Sequence, residues 1–284
     1  MEYNEFHDKV CTILNGKLPL DEYGAILYTS LKTVQKGDFY ILGLNPGGND
    51  DYTLPKKLKC NAPEPSKKMT IGKSLESCCD ENYNEYSKSW LCTRGAGNMP
   101  LQLNLKNFTR NILHKDIKDI CCTNLIFKTT KSQNDVAFHN EADACWEVHK
   151  MILEVIQPKL IIAYGNGDIS PYEYLHCKLN SNKKDDVPSY DADQGNYRIK
   201  GFKGTLDGRD TYVLGLPHLS RYWVNNDKKY ELINEFLDSY IPQVYLKKWR
   251  DVQIPINHPN VDSTNEKCSK TSCHWISPNS QLKA

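Results

Sequence analysis

Phe39-Tyr40-Ile41-Leu42-Gly43-Leu44 runs directly into Asn45-Pro46-Gly47-Gly48. An apolar run of this length, halted by Asn-Pro-Gly-Gly, reads as a buried strand that stops at a sharp turn. Leu160-Ile161-Ile162-Ala163-Tyr164 followed by Gly165 has the same form, and residues 120–127 supply a second strand of this kind. Between these runs the period changes to that of a helix. Pro100 opens a helix to about residue 113, with Leu101, Leu105, Phe108 and Ile112 on one face. Residues 141–156 form another, stopped by Pro158. Residues 197–203 and 209–216, joined through Asp207-Gly208, read as a hairpin whose second arm is a fourth core strand. Residues 232–249 supply a closing helix. Residues 2–35 read as two helices broken near Gly16 to Pro19, with apolar spacing at Phe6, Val10, Ile13 and Leu14, then Ile26, Leu27 and Leu31.

Strands alternating with helices imply an α/β fold: a three-layer α/β/α sandwich around a mainly parallel, four-stranded central sheet. In such sheets ligands bind at the carboxyl ends of the strands. The informative positions are therefore Asn45 to Gly48, Asn124, Asn166 and Pro217 to Arg221. The domain expected is a single one over 1–250. It is interrupted by a polar, poorly periodic insertion at 49–98 and followed by a polar tail at 251–284.

Composition narrows the classes. With 39% hydrophobic and 25% charged residues, the chain has the make-up of a globular protein. No apolar run approaches the roughly 18 residues that span a bilayer. The polar first ten residues resemble neither a signal nor a transit peptide, so no membrane partner and a cytoplasmic location are expected. Lys and Arg total 36 against 35 Asp and Glu, so a polyanion partner would need a local basic face. Residues 180–196 read as a polar loop. The eleven cysteines lack paired CxxC spacing; Cys121 and Cys122, in an apolar run, read as buried small hydrophobes. Cys268, Cys273 and His274 offer at most half a zinc site, and no metal is assigned.

The chemistry-bearing residues cluster after strands. Gly47 and Gly48 let a backbone approach a ligand closely. Asn45 offers an amide able to hold water, but no strong base. Leu216-Pro217-His218-Leu219-Ser220-Arg221-Tyr222-Trp223 gathers a histidine, a hydroxyl, a guanidinium and two aromatics at another strand end.

Together these stretches resemble the uracil-DNA glycosylase superfamily. DFYILGLNPGG (38–48) is similar to the first motif in its GxNPG form. TNLIF (123–127) is similar to the strand whose Asn reads the flipped base. EADACWEVHKMILEVIQPKLIIAYG (141–165) is similar to the following helix and strand, and PHLSR (217–221) stands where the family has its HPS-type motif. The resemblance implies a monofunctional DNA glycosylase, acting as a monomer on DNA. Such an enzyme flips out one base and hydrolyses its N-glycosidic bond to leave an abasic site. It implies His218 on the leaving base and Asn45 on the attacking water as catalytic residues. Asn124 would read the base, with Gly43, Leu44 and Tyr52 in the base pocket and Trp90 the second candidate for the stacking aromatic. Gly47, Gly48, Ser220, Leu219 and Arg221 would contact DNA, Arg221 as the wedge. Leu219 replaces the family's usual Pro. Some branches hold a four-cysteine iron–sulfur cluster. Cys145 matches one ligand position, but no cysteine pair precedes the first motif, so no cofactor is expected. Residues 49–98 open from the catalytic turn with amides, carboxylates and rings. They suit a bulky modified pyrimidine such as a glucosylated 5-hydroxymethylcytosine of phage DNA, and hence an antiviral role. A uracil or mismatch repair glycosylase, a nucleotide- or nucleoside-processing hydrolase on a similar sheet, and a silent DNA-binding module are the other readings.

Overall fold

The computed structural model describes residues 1–47, 69–90, 95–130, 137–179 and 186–251. Gly48, Asn49, Asp50, Asp51 and Tyr52, as well as the tail with Cys268, Cys273 and His274, lie outside the described residues. The elements are α1 (Tyr3–Leu14), β1 (Phe39–Gly43), α2 (Ile71–Ser77), α3 (Pro100–Asn111), β2 (Cys121–Asn124), α4 (Phe138–Ile156) and β3 (Leu160–Tyr164). They continue with α5 (Pro171–Leu179), β4 (Asp186–Asp191), β5 (Arg198–Leu206), β6 (Arg209–Leu216), α6 (Asp227–Asp238) and α7 (Gln243–Arg250).

One sheet takes all six strands in the order β2-β1-β3-β6-β5-β4. The pairs β1/β2, β1/β3 and β3/β6 are parallel, while β5/β6 and β4/β5 are antiparallel. The fold is thus α/β with a mostly parallel sheet, but the expected four strands are corrected to six. The reason is chemical. The strand Asp186-Val187-Pro188-Ser189-Tyr190-Asp191 sits at the sheet edge with a register shift between Val187 and Tyr190. A proline and polar residues are tolerated at an edge or bulge, and they erase the apolar signature of a core strand. What reads as a polar loop over 180–196 therefore contains β4.

The strands bury alternate residues on opposite faces. Tyr40, Leu42, Ile161, Ala163 and Val213 meet residues of α1, α2, α4 and α5. Phe39, Ile41, Ile162, Leu214 and Leu216 meet α3, α6 and α7 through Leu105, Phe108, Phe236, Leu246 and Trp249. Helices on both faces explain why β1 and β3 are buried along their whole length and read as continuous apolar runs.

Three further expectations are corrected. The second N-terminal helix is absent. Residues 23–30 instead run extended, bridging Gly24 to Lys128 and Leu27 to Thr123 along the outer edge of β2, and only 31–33 turns as a 3-10 helix. Ile26 and Leu27 are buried on a strand-like segment, so their spacing carries no helical meaning. The region 69–90 is no polar lid: Ile71, Leu75, Cys78, Tyr83 and Tyr86 are core residues. The closing helix is two helices, α6 and α7, parted before Pro242, whose ring and missing N–H cannot continue a helix.

Candidate functional site

The carboxyl ends of the four parallel strands meet in one place, and each contributes a polar or small residue. After β1, the Gly43 and Leu44 carbonyls accept from the Leu125 and Ile126 N–H groups (2.8 and 2.9 Å), which zips the exit of β1 to that of β2. Asn45 follows, half-buried. Its Nδ2 donates to Thr130 Oγ1 (2.7 Å) and to the Pro46 carbonyl (3.1 Å). With both N–H bonds committed, what the amide offers a ligand is its oxygen, an acceptor. Gly47 is exposed and bridges Thr130.

Asn124, 3% exposed, ends β2 beside Gly43. Tyr164, the last residue of β3, donates its hydroxyl to Asn124 Oδ1 at 3.2 Å. A Cβ at position 43 would overlap both that oxygen and the Tyr164 hydroxyl, so only glycine permits the approach. Tyr28 sits close to Asn124 and Tyr164, and Tyr86 lies 5.8 Å from Tyr28 between ring centroids. Trp90, half-buried, packs against Tyr86 at 6.1 Å. Burial raises the pKa of all three tyrosines above the ordinary phenol value, so the phenols stay protonated donors.

His218 follows β6, its ring edge-on to Tyr164 at 5.8 Å and 75°. Its Nδ1 receives the Ser220 backbone N–H (3.3 Å) and lies 2.8 Å from Ser220 Oγ. A nitrogen that accepts a backbone N–H carries no proton, so the neutral ring is protonated at Nε2 and presents that N–H as a donor. Part of the residue meets solvent, yet the protein crowding the ring pushes its pKa down to about 4, with the Arg221 charge adding to the effect. Neutral imidazole is the form present at pH 7.

The loop after β6 is held from two sides. Asn104, buried on α3, donates to the Leu219 carbonyl (2.7 Å) and accepts the Val224 N–H (3.2 Å). Gln194 donates to the Arg221 carbonyl (2.6 Å) and accepts from the Trp223 N–H (3.2 Å) and from Lys229 Nζ (2.7 Å). The clamp leaves the Arg221 side chain exposed and Trp223 41% exposed.

Of the residues singled out from sequence, Gly43 and Asn124 adjoin at the floor, and Tyr164 joins them to His218. Leu219 is a correction: its side chain is fully buried in the core and cannot touch DNA, because the loop turns inward there to meet Asn104. Ser220 is engaged with His218 and orients it. Asn166 ties the end of β3 to the Arg198 and Gly215 carbonyls (2.7 and 2.8 Å), a structural duty. Leu44 is buried beneath the turn. Sequence reasoning missed Tyr164, Tyr28, Asn104 and Gln194. Asn104 alone carried a signal, a polar residue between Leu101, Leu105 and Phe108 on the apolar face of a helix.

Cys145, Cys121 and Cys122 are buried free thiols. Among the described residues no group of three or more His, Cys, Asp or Glu stands close enough to hold a metal, and no helix is long and apolar enough to cross a membrane. Comparison with models of known protein families and with curated proteins finds no match.

Proposed function

We propose that this chain is a monofunctional DNA glycosylase of the uracil-DNA glycosylase type, which hydrolyses the N-glycosidic bond of a base flipped out of DNA. The observation that carries the reading is His218. It is held neutral at a strand end with an Nε2–H that bonds no group among the described residues, on the same cluster as the Asn124 amide and at the carboxyl ends of the parallel strands.

The chemistry needs this arrangement. As the C1′–N bond breaks, its electron pair leaves with the base, and positive charge grows on the sugar. His218 Nε2–H donates to the base oxygen that takes up the negative charge, which a preset donor stabilises most in the transition state. Asn45 Oδ1 accepts a hydrogen bond from the water whose oxygen bonds to C1′. The water's proton passes to solvent, and the departed base is protonated from solvent. An amide is a feeble base, so departure of the base leads and water attack follows. Asn124 reads the base edge, exposed backbone at Gly47 contacts phosphate, and Arg221 with Trp223 fills the gap in the stack.

Tyr86 and Trp90 come from the region 69–98 and border the cluster, which supports a pocket shaped for a modified pyrimidine, with glucosylated 5-hydroxymethylcytosine one candidate. The test incubates the protein with oligonucleotides carrying uracil, a thymine mismatch or glucosylated hydroxymethylcytosine, followed by alkali cleavage at abasic sites. Release of at least one base is expected, with 10²–10³-fold loss in Asn45→Ala and in His218→Ala, the scale of one lost electrostatic contact. Release from free nucleosides but never from DNA would favour the nucleoside-hydrolase reading. Wild-type rates in both variants would remove these residues from the chemistry.

A further inference from the structure

Asn124 is by chemistry an ambivalent reader. A carboxamide presents one acceptor and one donor group of nearly equal shape, and rotating it by half a turn exchanges them. A 4-keto pyrimidine shows an acceptor at position 4 and a donor at N3, and a 4-amino pyrimidine shows the reverse, so a freely turning amide serves both. Asn124 is not free. Its oxygen accepts the Tyr164 hydroxyl at 3.2 Å, and it lies against Gly43, where any side chain would displace it. Its Nδ2 side meets the Tyr28 hydroxyl, toward whose oxygen the amide donates. Tyr164 is itself held: it ends a strand with parallel neighbours on both sides, is 2% exposed, and packs edge-on against His218. Beside it the Tyr86 hydroxyl is fully buried and faces the Tyr164 hydroxyl.

We propose that Tyr164 sets the base specificity of this site: by fixing the Asn124 amide in one orientation, it makes the pocket distinguish 4-keto from 4-amino pyrimidines. Tyr164 is a positioning residue, because it acts on the base through Asn124. The inference deepens the glycosylase reading, and it holds equally for a pocket that receives free nucleosides.

The test measures one ratio in two ways, in wild type and in Tyr164→Phe. Calorimetry gives the affinities for 2′-deoxyuridine and 2′-deoxycytidine. Single-turnover cleavage gives the rates on oligonucleotides differing only in uracil or cytosine. The wild type is expected to prefer one member of the pair by at least about tenfold, the effect of one mismatched polar contact in a buried site. In Tyr164→Phe, which loses a single oxygen and keeps the ring, the preference is expected to fall to within about threefold, from a better rate or affinity on the disfavoured member. A residue that merely supported the fold would lower both members together and leave the ratio intact; a thermal melt of the variant separates that case. An unchanged ratio in Tyr164→Phe, or no preference in the wild type by either measurement, overturns the proposal. Preference in nucleoside binding with no cleavage of either oligonucleotide would refute the glycosylase reading while supporting this one.

Discussion

Replacing Asn104 by alanine tests what holds the loop that carries His218 and Arg221. Asn104 is 1% exposed and bonds both ends of that loop, at the Leu219 carbonyl and the Val224 N–H. Alanine removes both bonds and leaves a buried carbonyl and a buried N–H without partners. Each such group costs about 1–3 kcal/mol, so the variant should lose ~2–6 kcal/mol. Against the ~5–15 kcal/mol that holds a typical domain, this is a large fraction. For a domain of this size each kcal/mol lowers Tm by about 2–4 °C, so the melting point should drop by about 4–24 °C. Urea unfolding followed by tryptophan fluorescence measures the change. Asn104→Asp should be no milder, because it keeps the acceptor for Val224 but sets a carboxylate oxygen against the Leu219 carbonyl. Cleavage should fall in both variants, since the loop also places His218. A stability loss under about 0.5 kcal/mol in Asn104→Ala, with cleavage intact, would refute the clamp.

Acid should expose a second dependence. His149 is fully buried, with Nδ1 2.8 Å from the Tyr40 hydroxyl and Nε2 3.0 Å from the Leu125 carbonyl. Burial lowers its pKa from 6.5 to about 4, so on acidification the unfolded chain takes up the proton first. Its contribution is complete above about pH 6.5 and is lost on descent towards pH 4, on the order of 3 kcal/mol; His149→Gln should flatten this part of the urea-midpoint profile against pH. The same direction at His218 predicts a cleavage rate with no inflection near pH 6.5, and a bell with its acid limb there would contradict a neutral donor. Arg221→Ala should impair duplex substrates more than single-stranded ones, because only a duplex must be unstacked; equal losses would reduce Arg221 to a phosphate contact. Gly43→Ala should depress cleavage and destabilise by about 1–3 kcal/mol through overlap with Asn124 and Tyr164, and full activity would show that the two groups yield to it.

Much of the frame was legible because burial on both faces writes itself as uninterrupted apolar sequence. Leu160 to Tyr164 ends where its pattern ends, and Pro100 opens α3 as its fixed φ dictates. The parts that escaped share a physical cause: their structure is set by a partner distant in sequence. The segment 23–30 is extended because β2 offers it an edge. The strand 186–191 exists because β5 pairs with it, despite Pro188. At the site, Asn45, Asn124 and His218 stood out as polar residues at strand ends. Tyr164 was hidden because a tyrosine closing an apolar run looks like core, and only the fold brings its hydroxyl to the oxygen of Asn124.

The extended segment at 23–30 has a consequence for how the chain is made. Leu27 bridges Thr123, a separation of 96 residues (123 − 27). At a synthesis rate of ~5–20 residues per second, the first strand-like piece waits about 5–20 s for the edge it must cover. Throughout that wait Ala25, Ile26 and Leu27, all buried in the finished protein, are an unpaired apolar stretch on a nascent chain. Once docked, it occupies the open side of β2, the flank from which another extended chain could add to the sheet. The opposite flank, β4, is guarded by its own Pro188 and Asp191. The segment 23–30 thus covers the flank of β2 along which a neighbouring extended chain would otherwise add. Delaying or deleting it should show first as aggregation during expression.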